Sequence, residues 1–430
     1  MTNTANIVFQ QALETALGIT EALGTALGNE IVLVRDLRGR IRPVLPTKKK
    51  KDWPELDKYR SDLSAQLGAY AFDAARSVLF RDELTEPDVV LSERRLLKQR
   101  NGLSIYLLDR QIIGQDWMRD ALQRTTTNPR VTFFGLKGGV GRSTALVNWA
   151  WHLAEQGKKV LVFDLDLESP GISSSLLPPD RLPDYGVVDW FVEDGVGQAH
   201  VVEGELLVRS PLAQGLDGEI SVIPAYGART EDYLPKLARC YAEFSGDQPE
   251  SWAERLQKFV ERMEKQYAPD VVILDSRAGL HDIAAVLATR MEAVTLLFAI
   301  DTPQTWRGYE LLFKHWRSHP HLTTFRTNLQ VIAGMVPDTG RDAYLQGFKE
   351  HAWDIFRDNL YDVTGPDDLD TFSFDLDDES APHAPVPIFW HRALMEFDPS
   401  KGGIDRKTAE EAFSLFFEQA DRLLATTDQD

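Results

Sequence analysis

The feature that most constrains this chain is a glycine-rich segment that joins a short apolar run to a helical pattern. Val131 to Phe134 is β-branched and aromatic, which predicts a buried strand. Gly138, Gly139 and Gly141 follow, and apolar residues at helical spacing then run over 145–154. Glycines let backbone N–H groups converge on an anion without Cβ clashes, and the start of a helix adds positive partial charge. The segment therefore predicts a phosphate-binding loop.

The loop departs at two positions from the pattern G-x-x-x-x-G-K-[ST]. Leu136 stands at the first glycine and Arg142 at the lysine. With Lys137, the loop reads KGGVGRST and resembles the deviant Walker A motif KGGxGK[ST] of the ParA/MinD type of P-loop ATPases (SIMIBI class). Arginine keeps the positive charge and offers a planar fork to phosphate oxygens, but it is bulkier than lysine and places its charge differently. We therefore expect nucleotide binding to survive this change more readily than fast hydrolysis.

Two downstream apolar runs end in aspartate, which indicates a metal site beside the loop. Lys159 to Asp166 reads KVLVFDLD, a near-continuous apolar strand of the kind that is buried on both faces, with Asp164 at its end. Val271 to Asp275 reads VVILD. Carboxylates at the carboxyl ends of parallel strands can hold Mg²⁺ and position water. A plainer alternative for Asp164 and Asp166 is that they cap a turn.

The same runs match further motifs of the ParA/MinD class. The D-x-D pair resembles its switch I region and VVILD resembles its Walker B strand. Ser276 to Gly279 resembles the DSPAG switch II of the MinD branch, with Arg277 in place of proline. His281 and Asp282 predict the start of a helix and not a metal site, since no histidines lie at a useful spacing from them.

The resemblance implies a role for each matched residue. The catalytic residues would be Lys137, which reaches the phosphates of a dimer partner, Arg142, which contacts the β- and γ-oxygens, and Asp166, which orients the hydrolytic water. Mg²⁺ would be held by Ser143 and, through water, by Asp164 and Asp275. Thr144 would bind the α-phosphate, and the N–H of Gly279 would approach the γ-phosphate. The whole nucleotide-binding set is Gly138, Gly139, Val140, Gly141, Arg142, Ser143, Thr144 and Gly279.

The order of predicted elements indicates an α/β chain. We expect a doubly wound, mostly parallel P-loop NTPase sheet over residues 126–430, preceded by a smaller α+β domain over residues 1–125. The predicted elements of the first domain are helices within 7–26 and about 56–79, a hairpin from Ile31 to Leu45 and a strand from Leu103 to Leu108. Further strands of the second domain are predicted at Glu219–Ala225, Val294–Ile300, Leu329–Val336 and Pro385–Phe389. The helix predicted at Thr408–Leu424 has an acidic polar face, which favours packing on the sheet over binding to a membrane.

Charge divides unevenly along the chain. Residues 1–130 carry 20 Lys and Arg against 17 Asp and Glu, whereas the whole chain has a net charge of −19, which leaves −22 for residues 131–430. An acidic ATPase region argues against a protein that coats DNA. The basic clusters at Lys48–Lys51 and at Arg94, Arg95, Lys98 and Arg100 leave two alternatives open, a patch for DNA or an acidic partner and a solvated loop and helix face. Cys240 is the single cysteine, which fits a reducing cytoplasm.

These observations favour a Mg²⁺-dependent ATP-binding and hydrolysing switch that forms a homodimer on ATP and signals through its N-terminal domain or an unidentified partner protein. The alternative is a nucleotide-bound scaffold with little or no turnover, because Arg142 replaces the P-loop lysine. ATP and Mg²⁺ are the expected cofactors. The preference for ATP over GTP rests on the resemblance alone, since Pro337 and Asp338 stand where the class has a base-reading asparagine.

Overall fold

The computed structural model describes residues 7–46, 53–73, 76–111, 113–243, 250–363, 371–394 and 404–427. Contacts divide the chain into two units, Met1–Gln115 and Asp116–Asp430. This division precedes the boundary expected at residue 125. The difference has a physical cause, because Asp116 forms an ion pair with Arg290, and the Leu122 N–H donates to the Arg290 carbonyl at 2.9 Å. The segment after Gln115 is thereby fastened to the second unit.

The first unit is an α+β domain built on one mixed sheet. Its helices are α1 (Phe9–Leu23), α2 (Pro54–Leu67) and α3 (Pro87–Val90), and its strands are β1 (Glu30–Arg35), β2 (Ile41–Leu45), β3 (Leu79–Phe80), β4 (Arg95–Arg100) and β5 (Leu103–Asp109). In the described residues the sheet order is β3-β2-β1-β5-β4. The predicted hairpin is confirmed, since β1 and β2 pair antiparallel. Helices α1 and α2 bury Ala16 and Tyr59 in the same apolar cluster as Leu33 of the sheet.

One prediction in this unit is wrong. Helix α2 ends at Leu67 and not near 79, because Gly68 takes a left-handed φ of 53°, which ends a helix readily. Of the basic cluster that begins at Arg94, the later residues lie on the edge strand β4, so the alternative of a helix face does not apply to it. Glu30 pairs with Arg94 at 3.4 Å and Glu21 pairs with Lys98, so acids of the same domain neutralise part of this cluster. The other cluster, 48–51, lies outside the described residues.

The second unit is a doubly wound α/β domain, as predicted. Its strands are β6 (Arg130–Gly135), β7 (Lys159–Asp164), β8 (Val208–Arg209), β9 (Glu219–Ile223), β10 (Val271–Asp275), β11 (Val294–Ala299), β12 (Leu329–Val336) and β13 (Val386–Phe389). Among the residues described they form one sheet in the order β13-β12-β11-β6-β10-β7-β9-β8, in which every pair is parallel except β8 with β9. Strand β6 therefore lies at the centre, with later strands on both sides.

Helices cover both faces of this sheet. They are α4 (Arg142–Glu155), α5 (Ile172–Leu176), α6 (Val187–Asp194), α7 (Tyr233–Cys240), α8 (Trp252–Tyr267), α9 (Asp282–Ala285), α10 (Pro303–Trp316), α11 (Leu322–Phe325), α12 (Arg341–Asn359) and α13 (Arg406–Thr427). Phe133 of β6 lies in the cluster that includes α4 and α13, whereas its neighbour Phe134 lies in the cluster that includes α10 and α12. Successive strand residues point to opposite faces, so both faces of β6 are buried.

Helix α13 packs on the sheet, as its acidic polar face led us to expect. Phe416 is fully buried, and its ring centroid lies 6.3 Å from that of Phe133 and 6.2 Å from that of Trp149. Asp421 accepts a hydrogen bond from Trp149 Nε1 at 3.0 Å and another from Gln156 Nε2 at 2.8 Å. The helix is thus joined to α4 by apolar and polar contacts. In the part of the chain that the structure describes, no helix combines the length and apolar character needed to cross a bilayer.

Candidate functional site

The glycine-rich loop leads from the end of the central strand β6 directly into α4. Gly139 and Gly141 have left-handed φ angles of 74° and 84°, a conformation that side chains with a Cβ rarely adopt. Gly141 is the N-cap of α4, which begins at Arg142, three residues before the predicted apolar pattern. A Cβ placed on Gly138 or Gly139 would meet no atom within 4 Å. The loop is therefore shaped by backbone geometry and leaves room beside its glycines for a ligand.

Strand β12 supports the loop from one side, and sequence reasoning did not identify the residues that do so. A Cβ on Gly334 would lie 2.2 Å from the carbonyl oxygen of Val140, so only glycine allows this approach. The next residue, Met335, has a φ of 53° and comes within 3.6 Å of the Cβ position of Gly141. A glycine inside a strand pattern is a recognised sign of close backbone approach. That sign was present in the sequence at Gly334.

Two of the predicted metal-binding carboxylates lie side by side at the ends of neighbouring strands. Asp164 of β7 and Asp275 of β10 are register partners, and Asp275 is also in register with Phe133 of β6. Both aspartates are fully or almost fully buried. Burial raises the pKa of each carboxyl group above its usual value, and for Asp164 two hydrogen bonds from Ser173 oppose that rise. The strand ends therefore place two buried carboxyl groups side by side next to the loop.

The Arg142 side chain turns towards these carboxylates. Its Nη2 atom lies 3.5 Å from Asp166 Oδ2, and its Nε atom lies 3.3 Å from Asp275 Oδ1. The arginine side chain is 10% exposed. Among the described residues, Arg142 Nε and Nη1 and the Oδ1 atoms of Asp164 and Asp275 are buried and make no hydrogen bond. The structure thus brings the arginine and all three predicted acids into one buried, incompletely satisfied group.

The donor set suits Mg²⁺ in its chemistry, because carboxylates and a serine hydroxyl are hard oxygen ligands. Within the described residues, however, no three acids or histidines converge as a preformed metal cage. Magnesium in nucleotide sites typically takes one or two carboxylates and completes its shell with water and phosphate oxygens, so such a cage is not required. Asp164, Asp275 and Ser143, in the first turn of α4, fit that kind of site.

The remaining predicted residues surround the same loop. Lys137 donates a hydrogen bond to Oε1 of Gln304 at the start of α10. Thr144 lies in the first turn of α4. The N–H of Gly279, which the resemblance assigns to the γ-phosphate, donates to the Gly135 carbonyl at 3.0 Å. In this conformation that N–H is therefore already hydrogen-bonded to the backbone at the end of β6.

The loops that follow β7 and β10 are joined by an ion pair. Arg277 Nη1 lies 2.8 Å from Glu168 Oε1, and His281 Nε2 lies 3.7 Å from the same oxygen. His281 is the N-cap of α9, and its Nδ1 accepts the N–H of Ile283 at 3.4 Å, which confirms the predicted helix start. Arg277, which stands where the DSPAG motif has proline, thus gives the loop after β10 a side chain that reaches the loop after β7.

Residues 131–302 match the CobQ/CobB/MinD/ParA nucleotide binding domain. These residues belong to that family. The antiactivator FleN of Pseudomonas aeruginosa is 28% identical over 213 residues, which cover 49% of this chain and 63% of FleN. The Fe-S cluster assembly factor HCF101 of Oryza sativa subsp. japonica is 30% identical over 105 residues, which cover 23% of this chain and 19% of that protein. The matches therefore span less than two thirds of either curated relative.

Among solved structures, the MinC:MinD cell division complex of Aquifex aeolicus is 19% identical, covers 69% of this chain and 96% of its own, and has a TM-score of 0.43. The CobQ/CobB/MinD/ParA match begins at Val131, so the first unit lies outside it. Every candidate site residue from Lys137 to Gly279 lies inside it. The family assignment and the local geometry thus identify the same segment of the chain.

Proposed function

We propose that this chain binds ATP with Mg²⁺ at the loop from Lys137 to Thr144 and hydrolyses it slowly as a dimerisation switch. The observation that carries the proposal is the geometry of the loop. Two left-handed glycines precede the first turn of α4, and the carboxylates of Asp164 and Asp275 lie at the adjacent strand ends. Backbone N–H groups at a helix start favour phosphate, and buried carboxylates beside them favour a divalent cation.

Different groups of the chain have different roles at this site. The backbone around Gly138 to Gly141 cradles the phosphates, and Arg142 offers its charge to the β- and γ-oxygens. Ser143, Asp164 and Asp275 would hold Mg²⁺, which would neutralise charge on the phosphate oxygens. Asp166 is available to orient the attacking water. Lys137 must leave Gln304 before it can reach the phosphates of a second copy.

The switch would act on another protein and not on DNA. FleN is named an antiactivator, and we extend a regulatory role of that kind to this chain. The first unit, which lies outside the family match, is the natural place for a partner protein to bind. The acidic second unit and the pairing of Arg94 and Lys98 with acids both disfavour DNA, because backbone phosphates require free cationic side chains.

One observation favours a second candidate, a nucleotide-bound scaffold with little turnover. Arg142 is engaged with Asp166 and Asp275, the residues that would orient water and bind Mg²⁺. An arginine that stays there would hold the nucleotide site away from the geometry that hydrolysis needs. In that case nucleotide would stabilise the fold and the first unit would carry the activity.

The test combines ATP binding, phosphate release and molar mass in solution, each with Mg²⁺. The wild type should bind ATP, form a dimer and release phosphate, and Lys137→Ala should lose the dimer and the turnover. Lys158→Ala removes the same charge from an exposed lysine that follows the C-terminal end of α4 and should behave like the wild type. Turnover that is absent in the wild type and appears in Arg142→Lys would favour the scaffold. Failure of the wild type to bind any nucleoside triphosphate would overturn both candidates.

A further inference from the structure

The Arg142 guanidinium pairs with two of the buried aspartates beside the phosphate loop. It reaches Asp275 through Nε and Asp166 through Nη2, so two different nitrogens serve two different acids. The side chains of Asp166 and Asp275 are 8% and 2% exposed. A nearby positive charge favours the ionised form of carboxylates that are removed from water to this extent. In this structure the arginine supplies it.

The contacts neutralise charge but include only one long hydrogen bond, from Arg142 Nη2 to Asp166 Oδ2. Charge-assisted N–H···O bonds are usually about 2.7–2.9 Å long, and both contacts here are longer, at 3.3 and 3.5 Å. Nε and Nη1 of Arg142, with Oδ1 of Asp164 and of Asp275, make no hydrogen bond in the described part of the chain. A buried group that is paired in charge but unsatisfied in hydrogen bonding gains from any ligand that supplies the missing partners. Arg142 can therefore exchange its contacts with the acids for contacts with a ligand that completes its hydrogen bonds.

We propose that the Arg142 guanidinium pairs with the aspartates in place of a divalent metal. The metal can bind them only after phosphate has drawn the guanidinium away. This inference rests on the proposed nucleotide site and adds an order of events to it. Phosphate oxygens offer Arg142 the bidentate partners that it lacks, and its departure frees Asp275, beside Asp164, for the metal and also releases Asp166. A lysine at this position has one compact ammonium group and cannot contact two acids through separate nitrogens. The substitution at 142 thus makes metal binding depend on nucleotide.

The test measures Mn²⁺ binding to the full chain by electron paramagnetic resonance without nucleotide. The wild type should bind Mn²⁺ weakly, and Arg142→Gln should bind it at least tenfold more tightly. Adding Asp275→Asn to Arg142→Gln should abolish the gain, which places the metal at these strand ends. Arg142→Lys should lie between wild type and Arg142→Gln, and it provides a second variant should the glutamine protein fail to fold.

Arg307→Gln is the matched control, because it removes the same charge from an arginine that pairs with Glu310 on α10, outside this group. It should leave Mn²⁺ affinity unchanged. Equal affinity in wild type, Arg142→Gln and Arg142→Lys would overturn the inference, and so would an equal gain in Arg307→Gln, since that would be a general effect of net charge. Calorimetry with ADP and Mn²⁺ on the wild type tests the underlying proposal separately. Absence of ADP binding would remove the nucleotide site itself, whatever the metal result.

Discussion

Arg277 and Glu168 form an ion pair that connects the loop after β10 to the loop after β7, with 2.8 Å between Nη1 and Oε1. The pair is partly exposed, at 32% and 24% for the two side chains, so we expect it to contribute at most about 1 kcal/mol. Its effect is therefore on the local opening of two loops and not on global stability.

Arg277→Met removes the charge and keeps much of the aliphatic stem. We expect amide exchange over residues 165–171 and 276–281 to become up to about fivefold faster, because about 1 kcal/mol corresponds to such a factor in an opening equilibrium. Hydrogen–deuterium exchange with mass spectrometry measures this change. Arg307→Met breaks an exposed pair with Glu310 on α10 and should leave both loops unchanged. Unaltered exchange in Arg277→Met would show that the ion pair does not hold the loops.

The contact of Gly334 with Val140 predicts a specific effect of one methyl group. Gly334→Ala would place Cβ 2.2 Å from a backbone oxygen that cannot rotate away, so the phosphate loop must shift. We expect a loss of about 1–3 kcal/mol in the free energy of unfolding, as overpacking usually costs, and ADP binding weakened roughly tenfold or more. Urea denaturation measures the free energy of unfolding, and calorimetry measures the affinity for ADP.

Gly204→Ala is the control for this substitution, since its Cβ would meet no atom within 4 Å. We expect a change within about 0.5 kcal/mol there. Similar stability and ADP affinity in Gly334→Ala and the wild type would contradict the close approach of β12 to the loop.

Neighbouring residues of α13 should differ sharply in their contribution to stability. Phe416 is fully buried among the rings of Phe133, Trp149 and Phe298, whereas Leu415 is 46% exposed. We expect Phe416→Ala to lower the free energy of unfolding by about 3–5 kcal/mol, since it removes a large buried ring and leaves a cavity. Leu415→Ala should cost less than about 1 kcal/mol. Equal costs in urea denaturation would mean that α13 does not pack as described.

His383 predicts a loss of stability in mild acid. Its Nδ1 accepts the Tyr361 hydroxyl at 2.5 Å and its Nε2 donates to the Leu376 carbonyl at 3.2 Å, so the ring is held neutral. Burial lowers the pKa of His383 below its usual 6.5, so the unfolded chain takes up the proton first. Stability should be unaffected by this group above pH 6.5. It should then fall as the pH drops towards the folded-state pKa, by at most about 1.4 kcal/mol per pH unit.

His383→Gln can keep one donor and one acceptor in this position without titrating. We expect it to flatten the dependence of unfolding free energy on pH between 6.5 and 5, measured by urea denaturation. His200→Gln, at an exposed histidine, should retain the wild-type slope. An unchanged slope in His383→Gln would assign the acid sensitivity to other groups.

Much of the nucleotide domain was predictable because its signals are local. A parallel strand buried on both faces is a short apolar run, and Val131–Phe134 and Val271–Leu274 are such runs. The glycines that need left-handed φ angles and the aspartates at the strand ends lie within a few residues of those runs. The parallel sheet then brings Asp164 and Asp275 into register without any further information.

The features that escaped prediction depend on contacts between distant residues. Strand β4 has a pattern that suits several conformations, and its pairing with β5 makes it a strand. Helices α6 and α7 have eight residues each, too few for a clear period, and Asp189 and Lys236 link them through a contact of 2.6 Å. The position of the Arg142 side chain among three acids also requires the finished sheet.

The packing of α13 on β6 and α4 has a consequence for synthesis of the protein. Strand β6 and the phosphate loop leave the ribosome early, but the neighbours of β6 come from β10 and β11, and one of its faces is covered by Phe416. At about 5–20 residues per second, translation from Val131 to Arg406 takes roughly 15–55 s. Throughout that time the aromatic face formed by β6 and α4 is not covered by α13. The nascent chain thus carries its nucleotide loop long before α13 is made to cover the aromatic face of β6 and α4.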